Sequence, residues 1–259
     1  PNIPESASWA TFLRVHDELT LEMVTPEMRE LIYKALEPKG APFRKGFGVS
    51  GRMANFLDED HDHIEMAFSV LLSMPGIPII YYGDEIGAKN NFDNAKKSAA
   101  LRKKKQARSK IKLLSFFDSR DINRGLLTQK AFYDATKTTK TYSGKIFHKV
   151  QKMIALRKEI PALRRGALTI LKTDDPYIFA YIRSYKGEKY LIVNNLADKR
   201  CTAEIELPTE TLLKAMTHKQ TAYLINILTD EEYKLKVSLK DKKTRLLMYP
   251  YAVVWLKLP

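Results

Sequence analysis

The residues best suited to chemistry are a histidine and two acids that follow a short apolar segment. Residues 9–15 read WATFLRV and lead directly into His16, Asp17 and Glu18. Aromatic and branched side chains in so short a run are typical of a buried strand. In α/β barrels catalytic groups project from the carboxyl ends of the strands, where a histidine and an acid can bind a polar substrate and stabilise a cation. An ordinary turn after the strand is the structural alternative.

Three glycines match the spacing of a dinucleotide-binding loop, GxGxxG: Gly46, Gly48 and Gly51. Such a loop has a strand directly before it and a helix directly after it. Residues 43–45 are not typical of the end of a strand. We therefore predict no dinucleotide cofactor.

Acids and histidines gather at the start of a predicted helix and resemble a set of metal ligands: Asp58, Asp60, His61, Asp62 and His63. Carboxylate and imidazole groups bind several divalent metals. The same residue types also cap a helix and complement the positive end of its dipole. We favour the capping role and predict neither a metal nor any other cofactor.

The basic excess of the chain is concentrated in one segment. The 44 lysines and arginines outnumber the 30 acids by 14, and residues 96–112 contain nine basic residues and no acid. A basic patch is the usual footprint of a nucleic-acid-binding surface. No aromatic side chain is interleaved to stack on bases, as in single-strand binders, and blocks of like charge stay extended. We favour a solvated, mobile loop over a nucleic-acid partner.

The first half of the chain alternates predicted strands and helices. One helix is predicted over 26–37, with Thr25 as its N-cap and Pro26 at its first position. A second helix is predicted over 60–74, where acids at the start precede an apolar face. The remaining predictions are loops over 38–52 and 84–143, a strand over 77–82 and a helix over 145–158.

After Pro161 the pattern changes to short apolar runs of strand length, separated by turn residues such as Lys186 and Gly187. Short strands at this spacing are typical of an all-β module. We therefore predict two domains, residues 1–163 and residues 164–259. The strands of the second domain are predicted over 167–172, 177–184, 189–195, 202–206, 233–239, 244–248 and 251–257.

Three segments resemble the α-amylase family of retaining glycosidases and transglycosidases. Residues 9–24, WATFLRVHDELTLEMV, are similar to the seventh-strand segment of that family, and residues 73–87, SMPGIPIIYYGDEIG, to its eighth strand and the following turn. Residues 177–199, YIFAYIRSYKGEKYLIVNNLADK, resemble the opening hairpin of the β-sandwich that follows the barrel. Within the family, the first segment is most similar to the trehalose synthases. The resemblance implies strands seven and eight of a (β/α)8 barrel, followed by a C-terminal antiparallel β-sandwich.

The resemblance also implies roles for individual residues. The family places three carboxyl groups around an α-glucosyl unit: a nucleophile, an acid/base, and a stabiliser of the oxocarbenium-like transition state. Asp17 matches the stabiliser and His16 matches a histidine that hydrogen-bonds the same sugar ring, while Val15 replaces the usual asparagine. Arg124, within residues 118–125 (DSRDINRG), loosely matches an arginine that contacts sugar hydroxyls. An Arg–Asp network that only braces a loop is the alternative.

The nucleophile and acid/base belong to the fourth and fifth strands of the family's barrel, whereas this chain begins with the seventh-strand segment and with Pro1 rather than Met. We therefore expect the chain to be the C-terminal portion of a larger enzyme. By this interpretation its partner is the remaining N-terminal part of the barrel, and the isolated chain is inactive.

The resemblance implies action on the α-glucosidic bonds of a disaccharide or α-glucan, with retention, most like a trehalose synthase that isomerises maltose. Hydrolysis of maltodextrin or starch is the nearest alternative, and a non-catalytic carbohydrate-binding or structural fragment is the alternative of another class. No apolar run is long enough to span a membrane. The single Cys201 excludes an internal disulfide and favours a reducing, cytoplasmic location.

Overall fold

The computed structural model describes residues 4, 7–107, 115–207, 211, 216, 217, 221–238, 240 and 243–259. These residues form two compact units. One unit comprises the described residues of Pro1–Thr11, Glu65–Ile79 and Lys149–Pro259, and the other comprises those of Phe12–Ile64 and Ile80–His148. The division into residues 1–163 and 164–259 stays a prediction.

Helices occur mainly in the first two thirds of the chain, and strands dominate the last third. The helices among the described residues are α1 Pro26–Leu36, α2 Met53–Phe56, α3 His61–Ser73, α4 Phe92–Gln106, α5 Gln129–Lys137, α6 Tyr142–Glu159 and α7 Pro161–Arg165. The early strands are β1 Ala10–Thr11, β2 Leu19–Thr20, β3 Ala41–Phe43, β4 Gly48–Ser50 and β5 Ile77–Pro78. The later strands are β6 Ala167–Ile170, β7 Ile178–Tyr185, β8 Glu188–Asn195, β9 Cys201–Glu206, β10 Met216–Thr217, β11 Thr221–Asn226, β12 Glu231–Ser238, β13 Lys243–Met248 and β14 Val253–Lys257. No helix in the described ranges is long and apolar enough to cross a membrane.

Strands β1 and β5 lie side by side in parallel, as successive barrel strands do, with Ala10 opposite Ile77. Both are shorter than the predicted strands over 9–15 and 77–82. The prediction of a buried strand was wrong, because Trp9, Phe12 and Ile77 are exposed. In the part of the chain that the structure describes, this sheet has only two strands, so their side chains are not enclosed by the facing strands of a closed barrel.

The predicted helices over 26–37, 60–74 and 145–158 are confirmed as α1, α3 and α6. The hydroxyl of Thr25 accepts a hydrogen bond from the Met28 backbone N–H, which confirms the predicted N-cap of α1. At the start of α3, the Asp60 carboxylate accepts hydrogen bonds from two backbone N–H groups at 2.8 and 3.0 Å. Asp60 therefore caps the helix, as the position of the acids in the sequence suggested.

The predicted loop over 38–52 instead contributes two strands, β3 and β4, to a three-stranded antiparallel sheet with the order β2-β4-β3. Strands of two or three residues are too short to show an alternating pattern. Gly48 is required where it pairs with β2, because a Cβ atom there would lie 2.9 Å from the Leu19 carbonyl oxygen. A strand therefore does precede Gly48 and Gly51, but it belongs to an antiparallel hairpin and not to a dinucleotide-binding βαβ unit.

The predicted loop over 84–143 was also wrong, because it contains α4 and α5. Helix α4 includes residues 96–106 of the basic segment, whose residues 108–112 lie outside the described residues. Only Ala95 of α4 is buried. A helix with so little buried surface needs no apolar face, and none is visible in its sequence. Its alanines, lysines and arginine have high helix propensity, and the Asn91 side chain caps it by accepting from the Asn94 backbone N–H at 2.8 Å.

The last third of the chain forms one antiparallel sheet of nine strands within the described residues, in the order β6-β7-β8-β14-β11-β12-β13-β9, with β10 beside β11. Lys186 and Gly187 form the tight β7–β8 turn with positive φ angles, as predicted. Strand β11 was missed in the sequence. The sheet curls until Thr173 bridges Ile205 of β9, and buried aliphatic side chains from its strands fill the interior.

Candidate active site

The structure brings together the three residues that the sequence singled out, all within one compact unit. His16 and Asp17 lie in a bend, and their side chains are 60% and 41% exposed. The Arg124 Nη2 and Arg120 Nη1 atoms donate to Asp17 Oδ1 at 2.9 and 3.3 Å. His16 Nε2 lies 3.3 Å from the other oxygen, Asp17 Oδ2. Asp17 therefore keeps one face toward solvent while two guanidinium groups fix the other.

Arg120 lies in a short 3₁₀ helix, Ser119–Asn123, and Arg124 follows its last residue, so this segment presents both arginines to Asp17. The Asp118 carboxylate caps this helix by accepting from the Arg120 backbone N–H at 3.0 Å. It also receives two hydrogen bonds from the Arg120 guanidinium, each 2.9 Å long. These contacts hold the pKa of Asp118 below its usual value and raise that of Arg120. The Arg–Asp network expected as the alternative role of this segment is present.

The same segment also holds the backbone of the bend. Arg124 Nε donates to the His16 carbonyl oxygen at 3.0 Å, and the buried Asn123 side chain donates to the Asp17 carbonyl oxygen at 3.3 Å. Side-chain and backbone contacts thus fix the bend from one direction. Because Asp17, Asp118, Arg120 and Arg124 carry two charges of each sign, the cluster is close to neutral.

A buried ionic cluster holds the chain just before the bend. Arg14 and Arg52 each place an Nη1 atom 3.4 Å from the same oxygen of Asp84, and all three side chains are almost fully buried. Both guanidinium groups stack on the Tyr81 ring at about 4.9 and 4.8 Å. Arg14 donates to the Val15 carbonyl oxygen. Arg14 therefore holds the backbone of Val15, the residue directly before His16.

Burial raises the pKa of Asp84 to about 6, although both arginines act to lower it. Burial also lowers the pKa of Arg14. Removing these charged groups from water costs free energy, which offsets their mutual attraction. The cluster is therefore not expected to contribute much to the free energy of unfolding. Its geometry, by contrast, fixes the carbonyl group directly before His16.

Tyr82 connects this buried cluster with the arginine-bearing segment. Arg52 donates to the Tyr82 carbonyl oxygen at 2.5 Å, and the Tyr82 hydroxyl donates to the Gly125 carbonyl oxygen at 2.9 Å. Gly125 follows Arg124, which contacts Asp17. Tyr82, which follows β5, therefore contacts both the buried cluster and the segment that bears Arg124. Sequence reasoning missed this function of Asp84 and Arg52, although the YYGDE segment itself was recognised.

One group of possible metal ligands lies apart from Asp17. Ligand atoms of Asp60, His61 and Asp62 lie within 4.8 Å of one another. Asp60 caps α3, however, and His61 Nε2 lies 3.1 Å from the Lys145 ammonium nitrogen. A cation at that distance competes with a metal, so the arrangement favours capping.

Comparison with known proteins shows which proteins the chain is similar to. Residues 50–166 match the alpha amylase catalytic domain, and residues 168–226 match the maltogenic amylase C-terminal domain. The chain is 33% identical over 214 residues to trehalose synthase of Thermus thermophilus, and 34% identical over 223 residues to trehalose synthase/amylase TreS of Mycobacterium tuberculosis. Each match covers 80% of this chain but only 22% and 35% of the relative. The chain thus spans about a fifth to about a third of the length of these relatives.

Solved structures agree on the fold. A maltogenic α-amylase from Thermotoga neapolitana superimposes with a TM-score of 0.57 at 13% identity, over 98% of this chain and 42% of that one. With the family matches, this confirms the predicted fold class, the last strands and helices of a (β/α)8 barrel followed by an antiparallel β-sandwich. The parallel β1–β5 pair and the curled sheet from β6 to β14 are those two parts, and the chain belongs to the α-amylase family.

Proposed function

We propose that this chain is the C-terminal part of a retaining enzyme that acts on α-glucosidic bonds, and that Asp17 stabilises its transition state. The observation that carries the proposal is the convergence of His16, Asp17 and Arg124 in one partly open cluster. A carboxylate that keeps an oxygen toward solvent can accept hydrogen bonds from sugar hydroxyls. As the ring flattens and gains positive charge, the same carboxylate stabilises it electrostatically.

In this proposal the other two carboxyl groups come from the part of the barrel that precedes the chain in the full-length protein. His16 hydrogen-bonds the sugar ring together with Asp17. Arg120 and Arg124 hold the Asp17 carboxylate in one orientation, and Arg14 fixes the backbone before it. Preorganised charges of this kind need no rearrangement during the reaction. Residues 1–163 would then complete the barrel, and residues 164–259 would form the separate β domain.

The reaction we favour is that of the trehalose synthases, conversion of maltose to trehalose, because relatives with that name match 80% of the chain. Hydrolysis is the second candidate, since one of those relatives is named both synthase and amylase. Both reactions use the same glucosyl-enzyme intermediate and differ in whether a sugar or water accepts the glucosyl group.

The products of the full-length enzyme acting on maltose distinguish these reactions. We expect trehalose to exceed glucose in the product mixture, as measured by chromatography, and no turnover by the isolated 259-residue chain. Glucose alone would favour the hydrolase. No product from the full-length protein, with maltose or with maltodextrin, would contradict both forms of the proposal.

A further inference from the structure

Helix α4 packs against residues 116–125, the segment that bears Arg120 and Arg124 and that we call the arginine segment. Helix and segment belong to the same compact unit. The one buried residue of α4, Ala95, shares a small hydrophobic cluster with Ile122. Because Ile122 lies between the two arginines in the chain, this contact fixes the arginine segment near its middle.

The start of α4 holds the second half of the arginine segment by its backbone. The Asn94 side chain donates to the Asp121 carbonyl oxygen at 2.8 Å, and the Asn91 backbone N–H donates to the Ile122 carbonyl oxygen at 2.6 Å. Gly125 approaches Asn91 so closely that a Cβ atom on Gly125 would lie 2.9 Å from the Asn91 Cβ atom. These contacts leave the backbone around Arg124 little room to shift.

Arg102 of α4 connects the helix with both halves of the arginine segment. Its Nη1 atom donates to the Phe116 carbonyl oxygen at 3.0 Å and to Asp121 Oδ2 at 2.6 Å. The two acceptors lie on either side of Asp118 and Arg120 in the chain. One guanidinium group therefore spans the residues that orient Arg120. The hydrogen bond to Asp121 also raises the pKa of Arg102, so that the guanidinium keeps its charge.

The ion pair between Arg102 and Asp121 is unevenly buried. The Asp121 side chain is 6% exposed, whereas that of Arg102 is 32% exposed. A carboxylate so deeply buried requires a positive partner, because an unpaired buried charge is strongly unfavourable. Without Arg102, we expect Asp121 to move toward water and to displace the arginine segment with it.

We propose that Arg102 is a positioning residue of the candidate active site, which acts on Asp17 through the arginine segment. Arg120 and Arg124 both donate to the Asp17 carboxylate, so a shift of their backbone misdirects it. A misplacement of about 1 Å caused from outside the reacting groups can lower a rate by as much as ~10²-fold. The inference rests on the proposed function for its effect on turnover, whereas the bracing of the segment does not.

The bracing is tested in the 259-residue chain by NMR measurement of side-chain hydrogen exchange. The Nε–H groups of Arg120 and Arg124 donate to Asp118 Oδ1 and to the His16 carbonyl oxygen, at 2.9 and 3.0 Å. Their exchange rates therefore report how firmly the arginine segment is held. We expect Arg102→Gln to accelerate both rates at least about threefold.

Two further variants make this test specific. Lys103→Gln is the matched control, because it removes the same charge from the next residue of α4, whose side chain is exposed. Its exchange rates should equal those of the unmodified chain. Asp121→Asn breaks the ion pair from the other side and leaves no buried charge, so we expect it to stay folded and to accelerate exchange as Arg102→Gln does. Thermal unfolding shows that each variant is folded.

Turnover of maltose by the full-length enzyme tests the link to Asp17. Arg102→Gln and Asp121→Asn should lower kcat between about tenfold and a hundredfold and change KM less than about threefold. Lys103→Gln should keep full turnover. A merely structural role of Arg102 would lower the melting temperature and leave turnover per folded molecule unchanged.

Three results would overturn the proposal: unchanged exchange at Arg120 and Arg124 in the variants of the ion pair, faster exchange without a loss of kcat, or an equal loss of kcat in Lys103→Gln. Failure of the proposed function is distinguishable from these. In that case the full-length Asp17→Asn enzyme would keep its turnover, while Arg102→Gln would still accelerate exchange in the chain.

Discussion

Asp84 shows at the scale of single residues how the site is held and why the sequence did not reveal it. Its two guanidinium partners lie 32 and 70 positions earlier in the chain. His16, Asp17 and Arg124 could be selected by residue type, position and family resemblance, each independently of the others. The pairing of Arg14 and Arg52 with one buried carboxylate has no such local pattern, because it depends on the folded chain.

The raised pKa of Asp84 gives a pH dependence with a defined sign. Between its ordinary value of 3.8 and about 6, the folded state binds the proton that the unfolded state has released. The Asp84 contribution to the free energy of unfolding therefore falls as the pH rises through this window, by about 3 kcal/mol in all. We expect Asp84→Asn to abolish this contribution.

Denaturant unfolding at pH 4 and pH 7 measures the effect. The free energy of unfolding of Asp84→Asn, relative to the unmodified chain, should rise by about 2 kcal/mol between these two pH values, because part of the effect is already present at pH 4. Leu126→Ala is the control, because this exposed side chain carries no titratable group. A difference for Asp84→Asn that stays constant with pH would mean that Asp84 does not titrate in this window.

At the scale of elements, α3 and α4 mark the limits of sequence-based prediction. Helix α3 has a capping acid at its start and a strongly apolar face, so its position followed from the sequence. Helix α4 has almost no apolar face and a high positive charge, which resembled a solvated segment. Its helical state depends on residue propensity, the Asn91 cap and contacts such as the ion pair between Arg102 and Asp121.

A proline in the middle of α4 tests this corrected assignment. Ala100 is exposed and lies nine residues into the helix, where proline removes a backbone hydrogen bond and clashes with the preceding turn. We expect Ala100→Pro to lower the free energy of unfolding by about 3 kcal/mol and Ala100→Gly to lower it by about 1 kcal/mol. Unchanged unfolding midpoints in both variants would indicate that residues 92–106 behave as the loop predicted from the sequence.

At the scale of the whole molecule, the fold class followed from the sequence because three separated segments each resembled a part of the same architecture. The β domain had the most regular pattern, and most of its strands lie within a few residues of their predicted positions. Strand β11, TAYLIN, was missed although its residues alternate between buried and exposed. The exposure of Trp9 and Phe12 could not be foreseen, because an apolar pattern does not reveal which parts of the chain pack against it.

The central claim concerns what Asp17 does in the full-length enzyme, where all three carboxyl groups would be present. Asp17→Asn keeps the shape of the side chain and removes its charge. An interaction made mainly in the transition state affects turnover more than substrate binding. His16→Ala should have a smaller effect on turnover and act partly on binding. Asp134→Asn serves as a control, since this carboxylate pairs with Lys130 on the exposed surface of α5.

The decisive measurement is kcat and KM on maltose, together with the melting temperature, for the full-length Asp17→Asn enzyme. We predict a loss on the order of 10³ in kcat, a KM changed by less than about tenfold, and full activity in Asp134→Asn. An Asp17→Asn enzyme with a lowered melting temperature but unchanged turnover per folded molecule would contradict the account, because Asp17 would then only brace the bend that contains it.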